Sequence, residues 1–137
     1  MQVYIAGPLF TDAERTYLEK IDSLCKKAGL KTYLPHRDAG LFTGDAKELK
    51  HIFELDRKGV DNSKIMVAVL DGIKVDDGTA WEMGYAYAKK IPIIGIVNDF
   101  RLFDPLIQFN PMIHQSVTLV KTLDQLKEAL QKHINHD

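Results

Sequence analysis

The stretch from Asp76 to Ala86, with the sequence DDGTAWEMGYA, sets acidic groups and glycines where a strand should pass into a helix. Glu82 falls in the first turn of that helix, so its carboxylate should lie near the carboxyl edge of the strands. Two carboxylates can cleave a glycosidic bond: one attacks the anomeric carbon, and a second acid protonates the leaving group. We therefore expect Glu82 to be the nucleophile, with Asp56 or Asp76 as the acid or as the group that holds the departing base.

Glu82 also has a purely structural interpretation. Thr79 followed three residues later by Glu82 fits a capping box, in which a hydroxyl and a carboxylate satisfy free backbone donors at a helix start. A motif this short does not decide the question by itself. Both interpretations of Glu82 stay open at this point.

Asp56 stands out because of the side chains around it in a predicted helix. Leu49, Ile52, Phe53 and Val60 recur at helical spacing, and Asp56 falls in the same apolar stripe. An unpaired carboxylate among apolar side chains costs free energy. Asp56 is therefore either a structural acid satisfied by backbone or by a basic side chain, or a carboxylate that faces a crevice.

Alternating strands and helices must position these acids. Strands are predicted at Val3 to Ala6, Thr32 to Leu34, Lys64 to Leu70, Ile91 to Val97 and Ser116 to Val120, and helices at Asp12 to Ala28, about Asp45 to Asn62, Thr79 to Lys90 and Leu123 to His133. This alternation predicts one α/β domain over residues 1–137: a flavodoxin-like, doubly wound, five-stranded parallel sheet with helices on both faces.

In that topology the first and third strands are neighbours, and a crevice opens above their carboxyl ends. The loops after those strands contain Gly7 and Phe10 on one side and Gly78 on the other, so all three are candidate substrate contacts, and Phe10 could stack on a base. The stretch 98–115 is predicted to be a long loop. It is too apolar for disorder and should cover a site or pack on another subunit.

Composition excludes several classes of function. A chain of 137 residues with 45% hydrophobic and 27% charged residues and a net charge of −1 gives no reason to expect a nucleic-acid polymer as partner. The single cysteine and the histidine spacing suggest neither a disulfide nor a metal site. With no apolar run long enough for a signal or a membrane span, we expect a cytoplasmic protein. Phosphate-loop and dinucleotide fingerprints are also missing, so we expect no cofactor.

The motifs quoted above occur together in one known family. The opening YIAGP, which begins at Tyr4, then Asp56, then the stretch from Asp76 to Ala86, then Asn110 with Met112, resemble the nucleoside 2-deoxyribosyltransferase family in order and spacing. The resemblance implies a double displacement. Glu82 would attack C1′ of a 2′-deoxynucleoside, the base would leave, and a second free nucleobase would take up the sugar.

The resemblance also implies roles for single residues. Tyr4 would orient the carboxylate of Glu82, while Asp56 and Asp76 would bind the base and manage its proton. Asn110 and Met112 would reach into a neighbouring subunit's site, with Asn110 near the sugar 5′-hydroxyl. We therefore expect a homo-oligomer, at least a dimer, in which loop 98–115 completes the neighbouring site and excludes water.

The sequence departs from better-known members of the family after the second strand. Pro35-His36-Arg37-Asp38 stands where a more amide-rich base-binding loop is usual. His36 and Arg37 could contact the base or a phosphate, or could serve the surface only. Trp81, beside Glu82, is expected to pack more than to stack on a base.

Two alternatives to the transferase remain. A 2′-deoxynucleoside 5′-monophosphate N-glycosidase of the same fold would share Tyr4, Asp56 and Glu82, but should carry hydroxyl-bearing or serine-rich phosphate contacts in the first loop and in place of Asn110. A non-catalytic nucleotide-binding module is also compatible with the fold, because fold does not establish activity. The clustering of three acids in one predicted crevice argues against it.

Overall fold

Five parallel strands form the centre of the computed structural model, which describes residues 1–103 and 109–136. The strands are β1 Gln2–Ala6, β2 Lys31–Tyr33, β3 Ile65–Val69, β4 Ile93–Ile96 and β5 Thr118–Val120. Their order in the sheet is β2-β1-β3-β4-β5, and every neighbouring pair is parallel. The flavodoxin-like α/β fold predicted from the sequence is confirmed, and β1 and β3 are the neighbours where the order reverses.

Helices cover both faces of this sheet. They are α1 Asp12–Lys27, α2 Pro35–Asp38, α3 Ala46–Asp61, α4 Asp77–Ala88, α5 Pro111–His114 and α6 Leu123–Ile134, with a 3-10 helix at Phe100–Phe103. On one face, apolar residues of α1 and α6 pack on the sheet, and on the other those of α3 and α4 do so. All of the strands and long helices predicted from the sequence are present, with bounds within two residues of those predicted.

The pleat of β1 decides which side chain reaches which face. Val3 and Ile5 point into the layer formed with α1 and α6, whereas Tyr4 and Ala6 point into the layer formed with α3 and α4. Tyr4 is fully buried in that second layer. Its hydroxyl therefore approaches the helix that carries Glu82.

Three local features differ from the sequence-based expectations. The helix expected from Thr79 begins at Asp77, because the side chain of Asp76 caps it. The stretch 98–115 contains the 3-10 helix and α5 among its described residues, so the expectation of a plain loop was wrong. The short helix α2 was not predicted, although Pro35 at its first position is a common start signal.

No helix among residues 1–103 and 109–136 is both long enough and apolar enough to cross a membrane.

Candidate active site

Tyr4 and Glu82 meet at the carboxyl edge of the sheet. The Tyr4 hydroxyl donates a hydrogen bond to Oε2 of Glu82 and joins β1 to the second turn of α4. The capping-box interpretation of Glu82 is wrong, because Asp76 supplies the cap to the backbone N–H of Thr79 at 3.0 Å. The carboxylate of Glu82 is thus free of any role in starting its own helix.

The surroundings of this pair raise the pKa of both side chains. Burial raises the pKa of Glu82 to about 8, the charges of Asp56 and Asp76 add to the rise, and the bond from Tyr4 opposes it. The pKa of the Tyr4 hydroxyl is also raised, first by burial and then by the charge of Glu82. Tyr4 therefore remains a proton-bearing donor toward Glu82 at any ordinary pH.

Asp56 sits in a second polar pair within the same layer. The Tyr33 hydroxyl donates to Oδ1 of Asp56 at 3.0 Å. Burial raises the pKa of Asp56 to about 6, against the bond from Tyr33, which lowers it. The partner of Asp56 is thus a phenol. The structural interpretation of Asp56 had instead required a backbone group or a basic side chain as its partner. Sequence reasoning missed Tyr33 because its partner lies 23 residues away on another element.

Asp76 has two jobs. Its Oδ2 accepts from the backbone N–H of Thr79 at 3.0 Å and from the Thr79 hydroxyl at 2.9 Å, which fixes the start of α4. The same residue lines the cavity that holds Glu82. A cap at this point aims the first turns of α4, and Glu82 with them, at the crevice.

These groups surround a cavity of about 350 Å³, within the size range of small-molecule sites. Six of the candidate site residues named from the sequence line it together, and the lining also includes four aromatic side chains, each from a different segment of the chain. The former are Gly7, Phe10, Asp56, Asp76, Gly78 and Glu82; the latter, besides Phe10, are Phe42, Phe53 and Trp81. The site thus combines carboxylates with flat apolar walls.

The close approach of the first loop has a steric cause. A Cβ added at Gly7 would lie 2.7 Å from Cδ2 of Leu18 and 3.0 Å from Cβ of Val69. Only glycine lets the chain leave β1 this close to α1 and β3, and the following residues then turn over the cavity.

Trp81 packs against two aromatic neighbours, as expected, and also lies at the wall of the cavity. Its ring stacks on Tyr85 with centroids 5.4 Å apart, and its edge contact with Phe53 has the same centroid distance. Trp81 nevertheless keeps 51% of its surface exposed and lines the cavity beside Glu82. An aromatic face is therefore available to a flat ligand at this wall.

His36 and Arg37, named from the sequence as possible contacts of the base or of a phosphate, are not part of this lining, and their side chains have acidic partners. His36 Nε2 lies 3.1 Å from Oε1 of Glu19. Arg37 donates to Asp22 at 3.0 Å and to Asp38 at 2.7 Å. Both side chains are held by acids of α1 and α2, and neither lines the cavity around Glu82.

Asn110 and Met112 line a different cavity, of about 710 Å³, with the residues that precede α4. The Asn110 side chain caps α5 by accepting from the backbone N–H of Met112 at 2.9 Å. Met112 is 80% exposed. Within one chain, these two residues are not part of the lining around Glu82.

In the described part of the chain, no group of three or more His, Cys, Asp or Glu residues is arranged to hold a metal ion. The acids of the cavity are partnered instead by hydroxyls and by backbone.

This chain is similar to known proteins in sequence and in fold. A protein of Ureaplasma parvum is 37% identical over 98 residues, which is 64% of this chain and 60% of that protein. The chain spans only 60% and 52% of the lengths of the curated relatives it matches. The solved 2-deoxyribosyltransferase of Bacillus psychrosaccharolyticus shares the fold, with a TM-score of 0.79, 19% identity and coverage of 93% of this chain and 90% of that one.

A solved CMP N-glycosidase of Clostridium botulinum has the same fold with a TM-score of 0.63 and 15% identity, covering 96% of this chain and 99% of that one. The model of the family described as nucleoside 2-deoxyribosyltransferase matches residues 3–133. That match covers nearly the whole chain, and on this ground the chain belongs to the nucleoside 2-deoxyribosyltransferase family.

Proposed function

We propose that this protein transfers 2-deoxyribose between nucleobases through a deoxyribosyl-Glu82 intermediate. The observation that carries the proposal is the cavity in which Glu82, held by Tyr4, lies with Asp56, Asp76 and an aromatic wall. A carboxylate held at one oxygen by a phenol keeps its other oxygen for attack. Its companions supply a proton and a flat surface for the base.

In the first half-reaction, Glu82 attacks C1′ of the 2′-deoxynucleoside and an ester bond to the sugar forms. The N-glycosidic bond breaks, its electron pair goes to the base nitrogen, and the base takes a proton from Asp56. In the second half-reaction, a different base attacks C1′, returns its proton to Asp56 and releases Glu82. Two inversions at C1′ give net retention.

The acid pair suits this chemistry. With pKa values of about 6 and about 8, Asp56 and Glu82 together hold one proton near neutral pH. In the empty site that proton favours Glu82. A sugar that develops positive charge at C1′ favours ionised Glu82 and so shifts the proton toward Asp56, where the leaving base needs it.

The hydrolysis of nucleoside 5′-monophosphates is the second candidate, and the first loop argues against it. Oε1 of Glu14 accepts from the backbone N–H groups of Phe10 at 3.2 Å and Thr11 at 2.9 Å. These amides at the start of α1 are where a phosphate would bind. An existing carboxylate there both fills the donors and repels a dianion, so a neutral 5′-hydroxyl fits better.

We also propose that the enzyme works as a homo-oligomer in which Asn110 and Met112 complete a neighbour's site. Exposed apolar side chains on α3 and α4 support this, since Leu49 and Phe53 of α3 remain 55% and 50% exposed and Trp81 of α4 remains 51% exposed. Mixing two inactive variants, Glu82→Gln and Asn110→Ala, tests it. A shared site would restore activity to about a quarter of the sites in a randomly mixed dimer, whereas self-contained sites would restore none.

The direct test of function is to incubate the protein with a 2′-deoxynucleoside and a different free base and to separate all products. A swapped deoxynucleoside, together with a protein mass increased by one deoxyribosyl group on Glu82, supports the transferase. Free base and deoxyribose alone would mean hydrolysis, and the 5′-monophosphates would be tested next. Glu82→Gln should abolish turnover, while Glu128→Gln, which removes an exposed carboxylate on α6, should not.

A further inference from the structure

The side chain of Tyr33 touches both polar pairs of the site. Its hydroxyl donates to Oδ1 of Asp56 at 3.0 Å. Its ring stacks on that of Tyr4 with centroids 5.2 Å apart and planes at 10°. Tyr4 in turn donates to Glu82. The two acids to which the proposed mechanism assigns attack and proton transfer thus share one support.

The strand register produces this arrangement. Tyr33 is the last residue of β2 and pairs with Tyr4 across the parallel ladder, so both rings rise from the same face of the sheet. The partner of the Tyr33 hydroxyl, Asp56, lies on α3. Because the sheet fixes both backbones, the phenol hydroxyl reaches Asp56 from a rigid element.

A glycine in α3 leaves space for the ring of Tyr33. A Cβ added at Gly59 would lie 2.8 Å from two ring carbons of Tyr33 and 2.9 Å from a third. Gly59 lies within α3, one turn after Asp56, where glycine disfavours the helix by about 1 kcal/mol relative to alanine. The glycine lets the Tyr33 ring pass under the helix and meet Asp56 from behind.

Tyr33 itself is absent from the lining of the cavity, whereas Asp56 belongs to it. The bond engages Oδ1 of Asp56, and among the described residues Tyr33 is the hydrogen-bond partner of that carboxylate. Oδ2 is therefore the oxygen left for a ligand. Because Tyr33, which lies outside the cavity lining, holds Oδ1 of Asp56, it also sets the direction in which Oδ2 points.

We propose that Tyr33 is a positioning residue that acts through Asp56: its hydroxyl holds Oδ1 and so orients this carboxyl group toward the base. The proposal rests on the transferase function proposed above. It assigns the role to the hydroxyl in particular, because the stacking of the ring on Tyr4 survives removal of the oxygen.

Tyr33→Phe in the wild-type and D56N backgrounds tests the proposal. In the wild-type background we expect kcat to fall about tenfold, as for loss of a hydrogen bond to a charged group. The acidic limb of the pH profile should move to higher pH, because the lost bond lowers the pKa of Asp56. In the D56N background the same change should alter kcat by less than about twofold. An equal loss in both backgrounds would overturn the proposal.

Tyr85→Phe is the matched control. Tyr85 donates to Oδ1 of Asp61 at 2.7 Å, which is also a phenol bound to an aspartate of α3, but neither residue lines the cavity. The substitution removes only the hydroxyl and keeps the ring that stacks on Trp81, so kcat and the pH profile should be unchanged. If it reproduced the effect of Tyr33→Phe, the loss would reflect general loosening of α3 and the proposal would fail.

A titration of the Asp56 carboxyl by carbon NMR separates this inference from the proposed function. A wild-type protein that neither transfers nor hydrolyses deoxynucleosides would overturn the function alone. A higher Asp56 pKa in Tyr33→Phe than in wild type would still support the link between the two residues. An unchanged pKa would overturn it, whatever the activity of the wild-type protein.

Discussion

Tyr4 and Glu82, 78 residues apart in the chain, are joined by a hydrogen bond at the point where β1 meets α4. The bond stabilises the ionised carboxylate, while burial of Glu82 acts in the opposite direction. Removing it with Tyr4→Phe should therefore raise the pKa of Glu82 further. We expect the alkaline limb of the variant's pH profile to move upward and kcat at pH 7 to fall about 10- to 100-fold. A pH series of initial rates measures both, and an unshifted profile would contradict the assigned role of Tyr4.

The pH profile of the wild-type enzyme should be bell-shaped. Between their pKa values of about 6 and about 8, Asp56 and Glu82 together hold one proton, and this is the productive protonation state. Below this window both acids are protonated and the nucleophile is lost; above it both are ionised and the leaving base has no donor. The measurement is kcat/KM for a 2′-deoxynucleoside from pH 5 to pH 9. A flat profile would show that this pair does not govern the reaction.

Stability should depend on pH through Glu82. Its pKa is about 8 in the folded protein against an ordinary value of 4.5, so the folded state binds more protons than the unfolded state between these limits. Stability contributed by protonated Glu82 is therefore complete below pH 4.5 and lost as pH rises to 8. Glu82→Gln stays neutral and should be more stable than wild type at pH 9 by roughly 1–4 kcal/mol, but by little at pH 5.

Thermal unfolding at both pH values checks this expectation, with Glu128→Gln as the control for loss of one exposed carboxylate. A gain in Tm for Glu82→Gln that was the same at pH 5 and pH 9 would rule out protonation as the cause. The variant should also be inactive, so that stability and catalysis conflict at this position.

The parts of the site that could be predicted from the sequence are those marked by a local pattern of residue types. The apolar run of β3, and an acid within the apolar stripe of α3, suffice to predict a crevice lined by Asp56 and Glu82. The sequence did not predict Tyr33, since β2 is only three residues long and the partner of Tyr33 comes from a later helix. The starting residue of α4 was misplaced because both Asp76 and Thr79 are good caps, and only the observed bond between them decides.

The placement of His36 and Arg37 could not be predicted for a related reason. Both residues are suited to a phosphate or a base, and they follow the strand next to β1. Their side chains are taken instead by acids on α1 and on α2 itself, which sequence spacing does not bring together. Competition between partners that are distant in the chain decided the outcome.

Asp76 should separate structural from catalytic effects. Asp76→Asn keeps a side-chain oxygen for the cap of α4 and removes the charge beside Glu82, so we expect a small change in Tm and a large fall in kcat. Asp76→Ala removes the cap as well and should cost about 1 kcal/mol more in stability. Circular dichroism melting and initial rates for both variants test this. Equal stability of the two would mean that the cap contributes nothing.

Trp81 should bind the base through its exposed face. The ring lies at the wall of the cavity, held in place by Tyr85 and Phe53. Stacking of a base on an aromatic side chain is worth about 1–3 kcal/mol, so Trp81→Ala should raise KM about tenfold, while Trp81→Phe should recover most of the affinity. Tyr87→Ala, which removes an exposed aromatic of α4 outside the cavity, is the control. If KM stayed constant in Trp81→Ala while Tm fell, packing would be the only role of this side chain.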